Sequence, residues 1–255
     1  MNKTIEKFLG DYLVFQIREW RKKWDSTLQE EIKKRIAFYS IFIKPGDLCF
    51  DIGANMGNRI GPLLKIGARV VAVEPQEKCI KTLRFKFGDR IEIVKKGVDA
   101  TEGMRTFHIS NETTISSFSE DWIRAVKAGR FQAYDWETTV EMSMTTLDAL
   151  IGSHGLPAFI KIDVEGFEPE VLKGLSQPVR MISFEYTVPE QTDKSLQCIE
   201  LLERNSKNIL CNYSIGESME LAWMDWVSPS EMKQHIASSE FIKTGFGDIY
   251  VKCIS

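Results

Sequence analysis

The hydrophobic pattern changes period near residue 45. Before that point Leu28, Ile32, Ile36 and Tyr39 recur at helical spacing, with Glu30, Glu31, Lys33 and Lys34 on the other face. Residues 1–44 are therefore predicted as a helical extension that ends at Pro45-Gly46-Asp47. Short apolar runs then alternate with helix-length segments. They are Leu48-Cys49-Phe50-Asp51-Ile52, Val70-Val71-Ala72-Val73-Glu74, Ile91-Glu92-Ile93-Val94, Gly97-Val98-Asp99, Phe159-Ile160-Lys161-Ile162-Asp163 and Met181-Ile182-Ser183-Phe184-Glu185. Continuous apolar strands separated by helices predict a mostly parallel sheet covered on both faces, an α/β fold.

Residues 100–146 break the rhythm. Met104 to Ile109 reads as a strand, and 111–134 as a polar, loop-rich insertion carrying Trp122, Phe131, Tyr134 and, just beyond, Trp136. Those aromatics could stack on an acceptor or form a small core of their own. Thr145 is a candidate helix N-cap with Asp148 three residues on. Further along, 195–205 reads as a helix and Ser228-Pro229-Ser230-Glu231 as a capping box. A final strand over 248–253 would pair as a hairpin and give an antiparallel edge. The domain reading is 1–44 as an extension and 45–255 as the α/β domain.

Composition adds exclusions. The net charge of −3 offers no basic face for phosphates, so no nucleic-acid partner is expected. No uncharged run reaches the length of a membrane span, and the N-terminus lacks a signal-peptide pattern, so a cytoplasmic location is expected. The five cysteines form no Cys-x-x-Cys pair and read as reduced core residues. Oligomeric state is not readable; Trp223 and Trp226 fit either an interface or simple packing.

The candidate chemistry lies at strand ends. Asp51-Ile52-Gly53-Ala54-Asn55-Met56-Gly57-Asn58 leaves the first strand as a glycine loop, where backbone can approach a ligand closely. Its spacing departs from the dinucleotide fingerprint, and Asp51 would repel a pyrophosphate. An acid there suits a cationic ligand such as S-adenosyl-L-methionine, which carries a sulfonium and an ammonium. Glu74, before Pro75, stands where a carboxylate could accept both ribose hydroxyls. Asp99 could accept the adenine amino group, or be solvated. Ser116 and Ser117 could line the site. Asp163 and Glu165 could face the methionine ammonium and an acceptor, or hold a divalent metal; Lys161 would compensate one of them. Glu168 reads as structural. Of the three histidines, His154 precedes its strand and falls at the wrong end of the sheet, His235 reads as solvated, and His108 could face the cleft as a base. Asp163, Glu165 and Glu185 are the stronger catalytic candidates.

These residues closely resemble the FkbM family of S-adenosylmethionine-dependent methyltransferases over about 45–252. The resemblance rests on Asp51-x-Gly53-Ala54-Asn55-x-Gly57, Glu74-Pro75, Thr146-Leu147-Asp148 and, most specifically, Ile160-Lys161-Ile162-Asp163-Val164-Glu165-Gly166. It implies a seven-stranded class I methyltransferase sheet and O-methylation of a sugar or natural-product hydroxyl. It also implies that Asp51, Gly53, Asn55, Gly57, Glu74 and Asp163 contact S-adenosylmethionine. Two departures stand out. Arg59 or Ile60 occupies a position where the family often has Thr, and Gln76-Glu77 follows Glu74-Pro75 where it often has a second proline. A dinucleotide oxidoreductase and a non-catalytic interaction protein on the same fold are the other classes open at this stage.

Overall fold

The computed structural model describes residues 26–254. The expected helix over 1–25 lies outside them. Ten strands are present: β1 (Leu48–Ile52), β2 (Arg69–Val73), β3 (Glu92–Val94), β4 (Gly97–Val98), β5 (Gly103–Ile109), β6 (Thr138–Thr145), β7 (Phe159–Ile162), β8 (Met181–Thr187), β9 (Ile209–Ile215) and β10 (Phe246–Cys253). The helices are α1 (Ser26–Tyr39), α2 (Ile60–Ile66), α3 (Glu77–Phe87), α4 (Glu120–Lys127), α5 (Leu147–His154), α6 (Glu168–Lys173), α7 (Thr192–Asn205), α8 (Pro229–Ile236) and the short α9 (Ser239–Ile242).

Seven strands form the main sheet in the order β3-β2-β1-β7-β8-β10-β9. All pairs are parallel except those of β10, which runs antiparallel to both β8 and β9. The expected antiparallel edge is thus present, with the last strand inserted inside it rather than at its margin. Every position of β1 and β7 is buried, the mark of parallel strands with helices on both faces. Phe50, Ile52, Val71, Ile160 and Phe184 fill one core layer. Cys49, Val70, Ala72 and Phe159 face the other, against Phe38 and Tyr39 of α1, Ile60 and Leu63 of α2, and Leu83 of α3. The described part of the N-terminal segment is therefore a wall of the core.

The region 100–146 is more ordered than a loop-rich insertion. β4, β6 and β5 make a second, three-stranded sheet, and α4 packs beside it. Gly97-Val98 consequently leaves the main sheet: it pairs with Met144 and Thr145. A Cβ at Gly97 would come within 2.7 Å of the side-chain ends of Met144 and Phe118, so glycine lets them pack close on the strand. The insertion's aromatics resolve in favour of a core: Trp122 and Trp136 are buried with Ile115 and Val126, and Phe131 and Tyr134 pack on them. α4 is amphipathic, with Trp122 and Val126 buried four residues apart, but at eight residues it is too short to stand out from the polar stretch around it.

Two smaller expectations shift. The N-cap before α5 is Thr146, not Thr145; its hydroxyl accepts from Ala149 N at 3.0 Å, while Asp148 accepts from Ser176 N. His235 is not solvated: it bonds the Tyr213 hydroxyl at 3.0 Å within a cluster of Tyr213, Trp223 and Phe241. Trp223 serves that cluster, and Trp226 packs under Lys252 Nζ at 4.4 Å. The capping box at Ser228 and Glu231 forms as expected. No helix among the described residues is long and apolar enough to cross a membrane, and all five cysteines are free thiols.

Candidate active site

From β1 the chain runs outward to β2 and β3, then returns on the other side of β1 as β7. Such a reversal opens a crevice at the carboxyl ends of the strands, where open α/β sheets bind ligands. A cleft of 370 Å³ occupies that place. Asp51, Gly53, Ala54, Asn55 and Asn58 line it from the β1 loop, Glu74 and Pro75 from β2, Asp163, Val164 and Glu165 from β7, and Glu185 from β8. Sequence positions far apart converge because each acid lies in, or just beyond, the carboxyl half of a neighbouring strand.

The glycine loop is held by backbone geometry. Gly53 has φ +80°, and its amide donates to Val73 O at 2.9 Å. A Cβ on Gly53 would sit 1.8 Å from the backbone oxygen of Asp163. Asn55 also adopts a left-handed conformation, with φ 44°, which asparagine tolerates better than most residues. Its amide donates to Glu74 Oε2 at 2.8 Å, and Gln76 N donates to Oε1 at 2.7 Å. Those two bonds lock the Glu74 carboxylate in place and leave each oxygen a further lone pair.

Burial governs the charges here. Asp51 and Glu74 are each only 2% exposed. Burial pushes Asp51 up to about 6, against the opposing charges of Lys161 and Arg59. It pushes Glu74 up to about 7, against the two backbone donors. Asp51 Oδ2 is buried without a hydrogen-bond partner, an unsatisfied acceptor that suits a cationic ligand. Lys161, fully within the sheet, bonds Asp248 at 2.7 Å and Asp163 at 3.3 Å. Burial alone would discharge it; the two carboxylates outweigh that and hold it above its ordinary range. It does compensate Asp163, and equally Asp248, whose part in this network the hydrophobic pattern of the last strand conceals.

The acidic loop after β7 is braced from outside the sheet. Glu168 accepts from the amides of Val164 and Gly166, both at 3.1 Å, which accounts for its structural role. Ser117 Oγ donates to Glu165 O at 2.7 Å, and Lys194 bonds Gly166 O at 2.6 Å. Gly166 lies against Trp122 so closely that a Cβ would come within 2.6 Å of it. Glu165 is held at φ 53°, a left-handed strain for a glutamate of the kind that gathers at active sites. Burial, then the charge of Asp163, raises both Glu165 and Glu185 well above the carboxylate range. One carboxylate oxygen from each of Asp163, Glu165 and Glu185 lies within 4.8 Å of the others, a grouping from which a divalent cation could take three ligands.

Four expected site residues fall elsewhere. Asp99 does not line the cleft. It is buried under β5, where Arg105 and the Ala100 amide take its carboxylate, because β4 has joined the second sheet. Ser117 braces the loop through Glu165 O, and Ser116 lines the cleft in its place. Gly57 does not touch the cleft either: it is packed against Phe87 and Leu83 of α3 at φ +78°. His108 lines a separate, open groove, 3.6 Å from Glu120. His154 ends α5 beside Glu92, far from the strand ends, as expected. Sequence reasoning missed Lys96, Thr114, Phe118, Arg35 and Glu217 on the cleft wall. None sits in a motif. For Arg59, also on the wall, its departure from the family's common residue was a signal.

Residues 51–225 match the model of the methyltransferase FkbM domain. An uncharacterized methyltransferase of Geobacillus sp. (strain WCH70) is 30% identical over 96 residues, which are 34% of this chain and 43% of that protein. The chain thus spans less than half the length of this curated relative. Among solved structures, precorrin-6y C5,15-methyltransferase from Geobacter metallireducens superposes with a TM-score of 0.45 at 10% identity, covering 87% of this chain and 86% of that one. A TehB-like SAM-dependent methyltransferase from Corynebacterium glutamicum gives 0.44 at 11% identity, covering 87% and 88%. The plantazolicin methyltransferase BpumL, solved with S-adenosylhomocysteine (SAH), gives 0.43 at 7%, covering 98% and 94%. With its domain model matched over more than half its length, and a cleft whose acids suit S-adenosylmethionine as the cofactor, the chain belongs to the methyltransferase FkbM domain family.

Proposed function

We propose that the chain transfers the methyl group of S-adenosylmethionine to a hydroxyl of a sugar, glycan or natural-product acceptor. The observation that carries the reading is the Glu165–Glu185 pair, two carboxylates of raised proton affinity on the cleft wall beside Asp163. When bound, the cofactor supplies an electrophilic sulfonium methyl. The protein's tasks are to orient the acceptor oxygen and take its proton. A hydroxyl is a poor nucleophile until it gives up its proton, and a carboxylate of raised proton affinity is suited to take it. Asp51, Gly53, Ala54, Asn55, Asn58, Glu74, Pro75 and Asp163 are the cofactor contacts in this reading, and residues 45–255 form the catalytic domain. The unpaired cysteines fit a cytoplasmic enzyme, and the net charge of −3 fits a small-molecule acceptor better than a nucleic acid.

The test is turnover. Purified chain with S-adenosylmethionine is offered a panel of sugar nucleotides, oligosaccharides and hydroxylated small molecules, and products are read by mass spectrometry. Demethylated cofactor appearing together with an acceptor one methylene heavier is expected. Methylation confined to amine or nucleic-acid acceptors would overturn the assignment. A second reading, a divalent metal on Asp163, Glu165 and Glu185 that activates the hydroxyl, is favoured by their 4.8 Å grouping. Turnover lost in chelator and restored by a divalent cation would select it.

Cofactor affinity carries a pH signature. Asp51 and Glu74 hold protons to about 6 and about 7 because burial disfavours their charge. Both values lie above the unfolded ones, so these groups' contribution to stability declines as pH rises from the ordinary carboxylate range through 7. A cationic ligand engages their ionised forms, so its affinity moves the opposite way. Calorimetric titration is expected to show several-fold tighter binding at pH 8 than at pH 5.5, with protons released on binding near pH 6. Glu74→Gln should weaken binding about tenfold and flatten the dependence. Affinity unchanged across that range would contradict the assigned roles.

A further inference from the structure

The acids of the cleft answer the cationic half of S-adenosylmethionine. Its methionine moiety also carries an α-carboxylate, which those same acids would repel. Among the described residues three cations line the wall: Arg35, Arg59 and Lys96. Lys96 follows β3, on the Glu74 side of the cleft. Arg59 lies on the opposite side, its Nη2 3.9 Å from Asp248, which in turn holds Lys161 beside Asp163. Of these three, Arg59 is the one whose charge bears on Asp51, one of the carboxylates that suit the cofactor's cationic half.

Its pairing is unusual. Arg59 is 9% exposed, and a guanidinium buried that deeply needs a counter-charge. Buried Asp248 supplies one at 3.9 Å, but the direct hydrogen bonds go to Glu217, at 2.5 and 2.7 Å, and the Glu217 side chain is itself 54% exposed. A buried cation is thus held by a carboxylate half in water, the kind of partner another carboxylate can share or displace. The neighbourhood also has donors to spare. Arg35 reaches the same Glu217 at 3.5 Å, and Arg35 Nε is buried with no acceptor.

We propose that Arg59, backed by Arg35, receives the α-carboxylate of S-adenosylmethionine, and that Glu217 competes with that carboxylate for the guanidinium. The proposal rests on the cofactor reading above and assigns the recognition of one end of the cofactor to a charge cluster outside the strand-end motifs.

Two ligands that differ only in the carboxylate isolate the contact: S-adenosylmethionine and decarboxylated S-adenosylmethionine. Wild-type protein is expected to bind the first about tenfold or more tightly by calorimetry. Arg59→Met should erase that preference while leaving the decarboxylated ligand's affinity within about twofold, and Arg59→Lys should restore part of it. Glu217→Gln, which removes the competitor, should tighten S-adenosylmethionine alone. If Arg59 is only a strut for Glu217, Arg59→Met and Glu217→Gln will weaken both ligands alike, and the proposal is overturned. Should Arg59→Met not fold, as a melting curve would report, Glu217→Gln decides by itself: selective tightening supports the proposal, and anything else refutes it. Wild-type protein that takes up neither ligand would instead defeat the underlying cofactor reading.

Discussion

Gly53→Ala is expected to lose S-adenosylmethionine binding by about a hundredfold or more and to lower the melting temperature. Two costs act together. The residue is at φ +80°, where an alanine is strained by ~1–3 kcal/mol. Its new Cβ would also lie 1.8 Å from Asp163 O and 2.9 Å from Asp163 C. Those are backbone atoms of a strand end, so neither can swing aside as a side chain would. Relief requires the β1 loop and the β7 end to part, and that separates Asp51 and Asn55 from Asp163, the two sides of the proposed cofactor site. The neighbouring glycines calibrate the effect. At Gly57, with φ +78°, an added Cβ meets the ends of Phe87 and Leu83 side chains, which can yield. Gly57→Ala should therefore cost stability but spare most of the affinity. At Gly61 nothing lies within 4 Å of the added carbon, so Gly61→Ala should be close to silent. Wild-type affinity in Gly53→Ala, measured by calorimetry beside these controls, would remove the loop from the site.

This graded behaviour also marks what a sequence can carry. The acids toward the carboxyl ends of the strands are legible because each has a local signature: an apolar run interrupted or closed by a carboxylate. Asp51, Glu74, Asp163 and Glu185 all meet that description and all reach one cleft. Asp99 meets it too and goes elsewhere, because the two-residue strand before it is captured by β6 instead of β3. Which sheet a short strand joins is a tertiary decision, and here Gly97 and Val98 pair with Met144 and Thr145. Ser116 and Ser117 are equally alike in sequence; pleat alternation turns one to the cleft and the other to Glu165 O. The Arg59–Glu217 pair spans 158 positions, and neither partner belongs to an element whose pattern points at the other. The insertion shows the same limit at larger scale. Its aromatics suggested an acceptor surface or a core, and only their packing, with Trp122 pressed on Gly166, decides for the core. That core then acquires a purpose: with Ser117 and Lys194 it clamps the loop that carries Glu165 in its strained conformation.

The clamp matters because the acid pair it orients is expected to set the rate. Glu185→Gln should lower kcat by 10²–10⁴, roughly the contribution of a positioned general base, while cofactor affinity changes by no more than about threefold. Glutamine keeps the shape of the side chain and removes only its ability to take a proton. Glu165→Gln should cost less and do something more diagnostic. Burial and then Asp163 lift Glu185, and the charge of Glu165 lifts it further. Removing that charge lowers the proton affinity of Glu185 while burial persists. A base must be unprotonated to act, so turnover falls as pH drops through its pKa. The acidic limb of the kcat profile in wild type should therefore stand above the ordinary carboxylate range, and in Glu165→Gln it should move to lower pH without reaching that range. A merely structural Glu165 would scale the whole profile down and leave the limb in place. A metal held by the triad would behave differently again. Both substitutions would then weaken cation binding, and excess divalent cation would recover turnover in each. If neither glutamine variant loses more than a few-fold in kcat, the proton leaves the acceptor by another route, and the carboxylate pair is not the base.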